Sequence, residues 1–264
     1  MTVVTTAVIA VAAALVAAGV HHLVQRRFGY DVLSRHNDVA GFMYSAIGVI
    51  FAVVLGFVVI VVWQQYDQVR SHVDHEAASI IDLYHAVDGF PPTLRARVES
   101  QLVDYAHLVI QREWPEMQRG ELAVAAAPQL EVIAHEIQRF EPVGLAQQDA
   151  HQIALRDLRS AFDARRERIR ANEPSVPRLL WFALYAGAAA TLGFTYLFGV
   201  KNRIAQLLMT ATLAALIAIM FVVIQALDRP FQGGSAIQPS GWKYFLDRAP
   251  HMNGSANQPT PNSR

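Results

Sequence analysis

The chain contains no cysteine, which excludes disulfide bridges, iron–sulfur clusters and zinc sites with cysteine ligands. Its formal net charge is zero, so the total charge gives no sign of nucleic-acid binding or of an acidic substrate. That total hides a local imbalance, because residues 64–178 hold 18 acidic residues, 13 arginines and no lysine. Negative charge is therefore concentrated in the middle of the chain.

Charge is also missing from four long apolar runs, which cover residues 2–20, 39–66, 179–200 and 204–227. Crossing a bilayer takes about 20 apolar residues in a helix, so each run is long enough. The first run has no positive segment before it, which favours a retained span over a cleaved signal peptide. Only residues 201–203 separate the last two runs, and we expect a tight antiparallel hairpin there.

These runs predict an all-α integral membrane protein with four transmembrane helices and a helical domain inserted between spans 2 and 3. The predicted division of the chain is residues 1–66 as a hairpin (spans about 3–22 and 40–64), 67–178 as a water-exposed helical domain, 179–228 as a second hairpin (spans about 179–200 and 204–227), and 229–264 as a tail that is largely disordered at its end.

The insert is typical of amphipathic helices. Apolar residues recur at spacings of three and four along 94–108 and again along 155–169, and no stretch alternates with a period of two. Breaks are expected at Pro91-Pro92, Gly120 and Pro142 to Gly144. The pattern predicts four helices, the outer two running continuously out of span 2 and into span 3.

Basic residues give a partial view of orientation. Loops 21–38 and 201–203 hold five lysines or arginines, which favours a cytoplasmic position for these loops and the opposite side for the insert. The insert has its own arginine cluster near span 3, which we interpret as a solvated or lipid-facing surface; its members are Arg165, Arg166, Arg168, Arg170 and Arg178.

Span 2 has the most informative pattern. Small residues spaced by three and four share one narrow sector of the helix, and they are Gly41, Ser45, Gly48, Ala52 and Gly56. Such a face lets another helix approach closely in lipid, so it predicts a packing face within or between chains. About 100° further round lie Val49, Val53 and Phe57. A ring of these side chains around an oligomer axis would form an apolar constriction that gates by dewetting.

Several short motifs carry a resemblance to a known family. The segment 54–58, followed by 61–66 with Trp63 and Tyr66, resembles the pore-lining second helix of bestrophins, and Asp228-Arg229-Pro230-Phe231 resembles their Asn-Pro-Phe-Gly element. The wider pattern over residues 30–235 resembles a group of bacterial membrane proteins described as bestrophin-like. Its hallmark positions include Trp63, Tyr66, Glu76, Glu113, Trp114, Asp228, Pro230 and Phe231.

The resemblance implies a pentameric ion channel in the bacterial inner membrane, selective for anions rather than cations, with Val49, Val53 and Phe57 at the pore neck. One departure concerns calcium. Bestrophins follow this element with acidic residues that bind calcium, whereas residues 232–235 read Gln-Gly-Gly-Ser, without the carboxylates that calcium needs. The resemblance also implies a cytosolic insert, contrary to the charge pattern, and the sequence leaves this conflict open.

Other chemistry is weakly indicated. His72, His75, Glu76, Asp82 and His85 lie at helical spacings, but they lack the paired motif of known metalloenzymes, so we expect a solvated helix face and no metal. Asp228 closes the fourth span, where it is expected to pair with Arg229 or to cap a helix. The spans contain neither buried charge nor broken helices, which argues against a coupled transporter.

The resulting hypothesis is a multi-pass membrane protein without cofactor or enzymatic activity, acting as a passive homo-oligomeric ion channel. The expected partners are the lipid bilayer and further copies of the chain, and not nucleic acid. The alternative is a non-conducting structural or signalling membrane protein whose helical insert binds a partner.

Overall fold

The structure is a computed structural model that describes residues 3–28, 37–200 and 202–255, without the side chains of Val39 and of residues 250–255. All regular elements in these ranges are helical, and the ranges contain no strand. Four of the described helices are long and apolar enough to cross a membrane. The predicted all-α class and the four apolar helices are therefore confirmed.

In the described ranges the helices are α1 (Val3–Phe28), α2 (Asn37–Ala86), α3 (Pro92–Leu108), α4 (Trp114–Gln118), α5 (Ala127–Arg139), α6 (Leu145–Arg170), α7 (Arg178–Tyr196), α8 (Arg203–Asp228) and α9 (Ser240–Ser255). A 3-10 turn covers Val87–Gly89, and a π-helical turn covers Val109–Glu113. The membrane-crossing candidates are α1, α2, α7 and α8.

Local sequence signals account for most helix ends. Helix α3 begins at Pro92, whose fixed φ angle suits the first position of a helix and which has no amide hydrogen to leave unpaired. Gly144 precedes α6 with a φ of 82°, a conformation that glycine adopts without strain. Helix α8 is capped by Asn202, whose Oδ1 accepts a hydrogen bond from Ala205 N at 3.2 Å. The predicted breaks at Pro91-Pro92, Gly120 and 142–144 are confirmed.

One of the two predicted continuous helices at the borders of the insert is present, and the other is interrupted. Helix α2 runs without interruption for 50 residues, so span 2 does continue into the insert. The expectation of a continuous helix into span 3 is wrong, because α6 ends at Arg170 and α7 begins at Arg178. Pro174 and Pro177 lie between them, and a proline lacks the amide hydrogen that a helix interior needs.

The chain forms two compact units. The first, called the membrane unit, comprises Met1–Tyr66, Pro174–Arg229 and Gly233–Ser235 in their described parts. Its core is built from apolar side chains of α2, α7 and α8, and they include Phe51, Val58, Val62, Leu184, Ile217 and Ile224. Helix α1 packs against α8.

The second, called the insert unit, comprises Asp67–Glu173, Pro230–Gln232 and Ala236–Arg264 in their described parts. Its core includes Val98, Leu102 and Tyr105 of α3 together with Leu130, Ile133 and Ile137 of α5, all fully buried. Burial of such apolar side chains contributes about 1.5–3 kcal/mol each relative to exposure.

The C-terminal segment differs from the predicted tail. Residues 240–255 form α9, and its Trp242, Phe245 and Ala249 are buried at spacings of three and four. The Trp242 ring meets the Tyr105 ring edge-on at 5.6 Å, and the Phe245 ring meets the Tyr84 ring in the same way, also at 5.6 Å. Burial of these large aromatic side chains opposes the entropy that the segment loses when it becomes ordered. Disorder was predicted only for the end of the 229–264 tail, and residues 256–264 lie outside the described residues.

Candidate functional site

The predicted pore-lining residues form an exposed column on α2. The exposed fractions are 65% for Val49, 66% for Val53 and 66% for Phe57. An apolar surface of this kind marks a contact with lipid or with another protein chain, because water would disfavour it. Their role as a neck stays a prediction, and the structure supplies the geometry for it: an apolar row on one side of a long helix.

The small-residue face lies beside that column. A Cβ atom added at Gly48 or Gly56 would have no described atom outside its own helix within 4 Å, and Ala52 is exposed. The tight helix approach within the membrane unit occurs elsewhere, at Gly187 of α7, where an added Cβ would lie 2.4 Å from Phe51 Cδ2. An added Cβ at Gly41 would lie 3.9 Å from Phe198 Cε1, and Gly48 and Ala52 line a cavity together with side chains of α7 and α8 such as Thr191 and Leu213. The face is therefore not closely packed against its own chain, and it stays a predicted packing surface.

The polar groups at the end of α8 hold the start of α7. Asp228 is buried, and its Oδ1 accepts hydrogen bonds from Ser175 N at 2.8 Å, Ser175 Oγ at 2.9 Å and Val176 N at 2.9 Å. These bonds hold residues 175–176, which lead into α7, and they differ from the predicted cap, because Pro177 is the N-cap of α7 and has no side-chain cap bond. Nearby in the same unit, Tyr66 Oη donates to the Ser235 carbonyl at 2.8 Å, and the exposed Trp63 stacks on the Tyr66 ring.

The insert unit contains a buried ion network. Arg168 donates to both carboxylate oxygens of Glu76, at 2.5 and 3.0 Å, and to Glu113 at 2.9 Å. Arg165 binds Glu113 in a bidentate manner at 2.7 and 2.5 Å. Tyr105 Oη donates to Glu76 at 2.7 Å. Two carboxylates and two guanidinium groups thus balance in charge inside the core.

Electrostatics in this network follow from burial and pairing. Burial alone would raise the pKa of Glu113, but hydrogen bonds from Arg165 and the charge of Arg168 outweigh it and hold that pKa below its usual range. Burial opposes the charged form of Arg168, yet the charge of Glu76 raises the pKa of this guanidinium. For Tyr105, burial and then the Glu76 charge raise the phenol pKa well above its usual value. Pairing therefore favours the charged forms of Glu113 and Arg168 in spite of their burial.

The arginine cluster is the clearest correction to the sequence interpretation. Arg166, Arg170 and Arg178 are exposed as predicted, but Arg165 and Arg168 are buried. The buried residues of α6 recur at helical spacing, and Arg165 and Arg168 occupy the next positions of that pattern. The buried residues include Ala154, Leu158, Ala161, Ala164, Arg165 and Arg168. The sequence contains a signal for the burial of these two arginines, because Glu76 and Glu113 are two acidic residues that can balance their charges.

Two hallmark motifs that are far apart in sequence meet in the insert unit. The Trp114 ring lies edge-on to the Phe231 ring at 5.7 Å, and Trp114 Nε1 donates to the Ile237 carbonyl at 3.2 Å. Pro230 accepts from Ile237 N at 2.8 Å, which closes the loop. Glu113 also accepts from Ala126 N at 2.8 Å. The Glu113-Trp114 and Pro230-Phe231 pairs are thus structural anchors of one core.

A π-helical turn sets the direction of these anchors. Trp114 N donates to the Val109 carbonyl, five residues earlier, just before Pro115, which has no amide hydrogen to donate. Such turns are frequent at functional sites. The wider turn brings Glu113 and Trp114 into the core together.

The possible metal ligands do not assemble. Glu76 is committed to Arg168 and Tyr105, while His75 is exposed. In the part of the chain that the structure describes, no group of three or more His, Asp or Glu side chains is arranged to hold a metal ion.

Comparison with known proteins gives one consistent answer. The family described as a bestrophin-like domain matches residues 11–242. Two crystal structures of single-substitution variants of a bacterial bestrophin homologue from Klebsiella pneumoniae have a TM-score of 0.70 and 12% identity to this chain. The first covers 94% of this chain and 99% of its own, the second 91% and 98%. A crystal structure described as a membrane protein has a TM-score of 0.68 at 12% identity, covering 94% and 99%. No curated protein sequence matches the chain.

Proposed function

The chain belongs to the bestrophin-like family of membrane proteins, and we propose that it is a passive ion channel in which α2 lines the conduction path. The observation that carries this proposal is the column of Val49, Val53 and Phe57. It is apolar, it lies on a helix long enough to cross the membrane, and about two thirds of each side chain is exposed.

An apolar column conducts only as part of a ring. One helix cannot enclose a path, so the proposal requires several copies of the chain around an axis. The small-residue face supports this assembly, because it adjoins the column and a Cβ added at Gly48 or Gly56 would meet no described atom outside its own helix within 4 Å. A neighbouring copy could approach it closely in lipid.

The finer features of the proposal come from the family resemblance. It implies five copies, a preference for anions over cations and a place in the bacterial inner membrane. Residues 232–235, directly after Phe231, include no acidic residue, so the proposal includes no calcium-binding clasp.

Ion flux through reconstituted protein tests the proposal directly. We expect purified protein in liposomes to conduct, and Phe57→Ala to raise single-channel conductance several-fold, because removing a phenyl group from each copy widens an apolar constriction and lowers its dewetting barrier. Phe182→Ala is the matched control, since Phe182 lies on α7 with a similar exposed fraction of 69%. It should leave the conductance unchanged.

Two outcomes would reject the channel proposal. One is protein that is oligomeric and folded in the membrane but carries no current. The other is a current that Phe57→Ala and Phe182→Ala alter equally. Either result would favour the alternative of a non-conducting membrane protein that binds a partner through its insert.

A further inference from the structure

Helix α1 is attached to the membrane unit through a narrow strip. Its buried residues are Ala10, Ala17 and His21, which lie along one side of the helix at spacings of seven and four. Large aliphatic side chains elsewhere on α1, such as Leu15 at 68%, are exposed. His21 is therefore the single buried polar residue in the described part of α1.

A hydrogen bond fixes how α1 meets α8. Gln25 Nε2 donates to Gln206 Oε1, and Gln206 Nε2 donates to the Phe198 carbonyl. Spans one and four of a four-span protein run antiparallel, so one turn back along α1 corresponds to one turn forward along α8. The register therefore brings His21 to the level of Thr210, and Ala17 to the level of Ala214.

The His21 and Thr210 layer is polar and buried, and it has no charged partner among the described residues. His21 is 2% exposed and Thr210 is fully buried. Neither ring nitrogen of His21, nor Thr210 Oγ1, has a well-formed hydrogen bond among the described residues, and the side chain within reach of the imidazole is the neutral amide of Gln206. Buried polar groups are nearly always paired, and those that are not need an explanation. The Tyr196 ring lies beside the imidazole, with 6.0 Å between the ring centroids.

Among the described residues, a proton on His21 would have no acidic partner. Helices α1 and α7 have no acidic residue in their described parts, and Asp228 is the only one in α8, at its far end. The other titratable or charged groups on the described residues at this end of the unit are exposed or half-buried; they include His22, Arg26, Arg27, Asp38, Tyr44, Tyr196 and Arg203. Burying an unpaired imidazolium is costly, whereas water around it removes most of that cost.

From this layer we infer that His21 is a proton-binding site that controls how tightly α1 is held against α8. With a neutral imidazole the helices stay packed. Proton uptake is accompanied by partial separation of α1 from α8, because only separation admits the water that solvates the charge. This inference does not depend on whether the chain conducts ions.

Because the chain contains no cysteine, spin labels can be attached at introduced cysteines alone, and the distance between α1 and α8 can be measured. Leu15 on α1 and Leu216 on α8, both exposed, are each replaced by cysteine in the full chain and labelled with nitroxide spin labels. The labelled chain is reconstituted in liposomes with an excess of unlabelled chain, so that the measured distance lies within one chain. Pulsed electron spin resonance then measures the distance at about pH 8 and about pH 5, on either side of the ordinary histidine pKa of about 6.5. We expect a longer and broader distance distribution at the lower pH.

Variants assign the effect to one ring. His21→Leu and His21→Gln should both give one distribution at the two pH values, and the glutamine variant decides if the leucine variant does not insert. His22→Gln, a neighbouring exposed histidine, should keep the pH-dependent shift. A distribution in the unaltered protein that is identical at both pH values overturns the inference. So does a shift that persists without His21 or disappears without His22.

Discussion

The insert unit buries six charged side chains, and each of them takes part in an ion pair; they are Glu76, Glu99, Glu113, Asp157, Arg165 and Arg168. The core of the membrane unit is mainly aliphatic, and Asp228 is its single buried carboxylate among the described residues. The surfaces differ in the opposite sense. Large apolar side chains such as Phe42, at 76%, are exposed along α2 in the membrane unit. Polar groups gather in the core of one unit and apolar groups on the surface of the other, as expected if water surrounds the first and lipid the second.

The largest effect is expected from breaking the ion network. Arg168→Leu leaves Glu76 buried without its guanidinium, and removing one partner of a buried ion pair costs about 3–5 kcal/mol. Thermal unfolding in detergent, followed by circular dichroism, measures the loss. Arg166→Leu is the matched control, because Arg166 is exposed two residues away and pairs with Asp163 at the surface, where such pairs contribute about 0–1 kcal/mol. Equal losses of stability in the two variants would mean that the buried ion network stabilises the insert unit no more than a surface ion pair does.

A smaller effect is expected from the apolar core of the membrane unit. Gly187→Ala places a methyl group against the Phe51 ring, and overpacking of this kind costs about 1–3 kcal/mol. Gly193→Ala on the same helix is the control, since a Cβ there meets nothing within 4 Å, and alanine is favoured over glycine in helices by about 0.5–1 kcal/mol. The same unfolding measurement applies. If Gly187→Ala is neutral, the membrane unit is packed more loosely than the insert unit.

The smallest effect is a pH dependence of the insert unit. The folded pKa of Glu113 lies below its unfolded value of about 4.3, so its ion pairs stabilise fully above that value and the contribution is lost as the pH falls through the folded pKa. One proton gives a slope of at most about 1.4 kcal/mol per pH unit. Glu113→Gln should remove this slope, and Glu131→Gln, on the exposed side of α5, should keep it. An unchanged slope in Glu113→Gln would place the acid sensitivity elsewhere.

The four apolar helices were predictable because each contains a long run without charge, and a hydropathy average over about 20 residues identifies such a run. Period and turn residues likewise gave the breaks at Pro91, Gly120 and Gly144. The periodicity alone does not predict the end of α6, although Pro174 and Pro177 are residues that interrupt a helix. Helix α9 was missed because Trp242, Phe245 and Ala249 form a stripe too short to stand out.

The interior of the insert unit could not be predicted in the same way. Arginine is rarely buried, so Arg165 and Arg168 were interpreted as surface residues. Their burial depends on Glu76 and Glu113, which lie far away in sequence and reach them only through tertiary packing. The exposed column of Val49, Val53 and Phe57 was predictable as a pattern, but a single chain cannot distinguish a pore wall from a lipid-facing row.

The π-helical turn at Val109–Glu113 has a consequence for insertions and deletions. Deleting one residue there would restore an ordinary α-helical turn and rotate the preceding helix by about 100° relative to Trp114. Glu113 and the buried face of α3 could then no longer face one core. The number of residues in this segment is therefore constrained more tightly than their identity, and relatives of this chain should tolerate substitutions at Ile110 or Gln111 far better than a change in length.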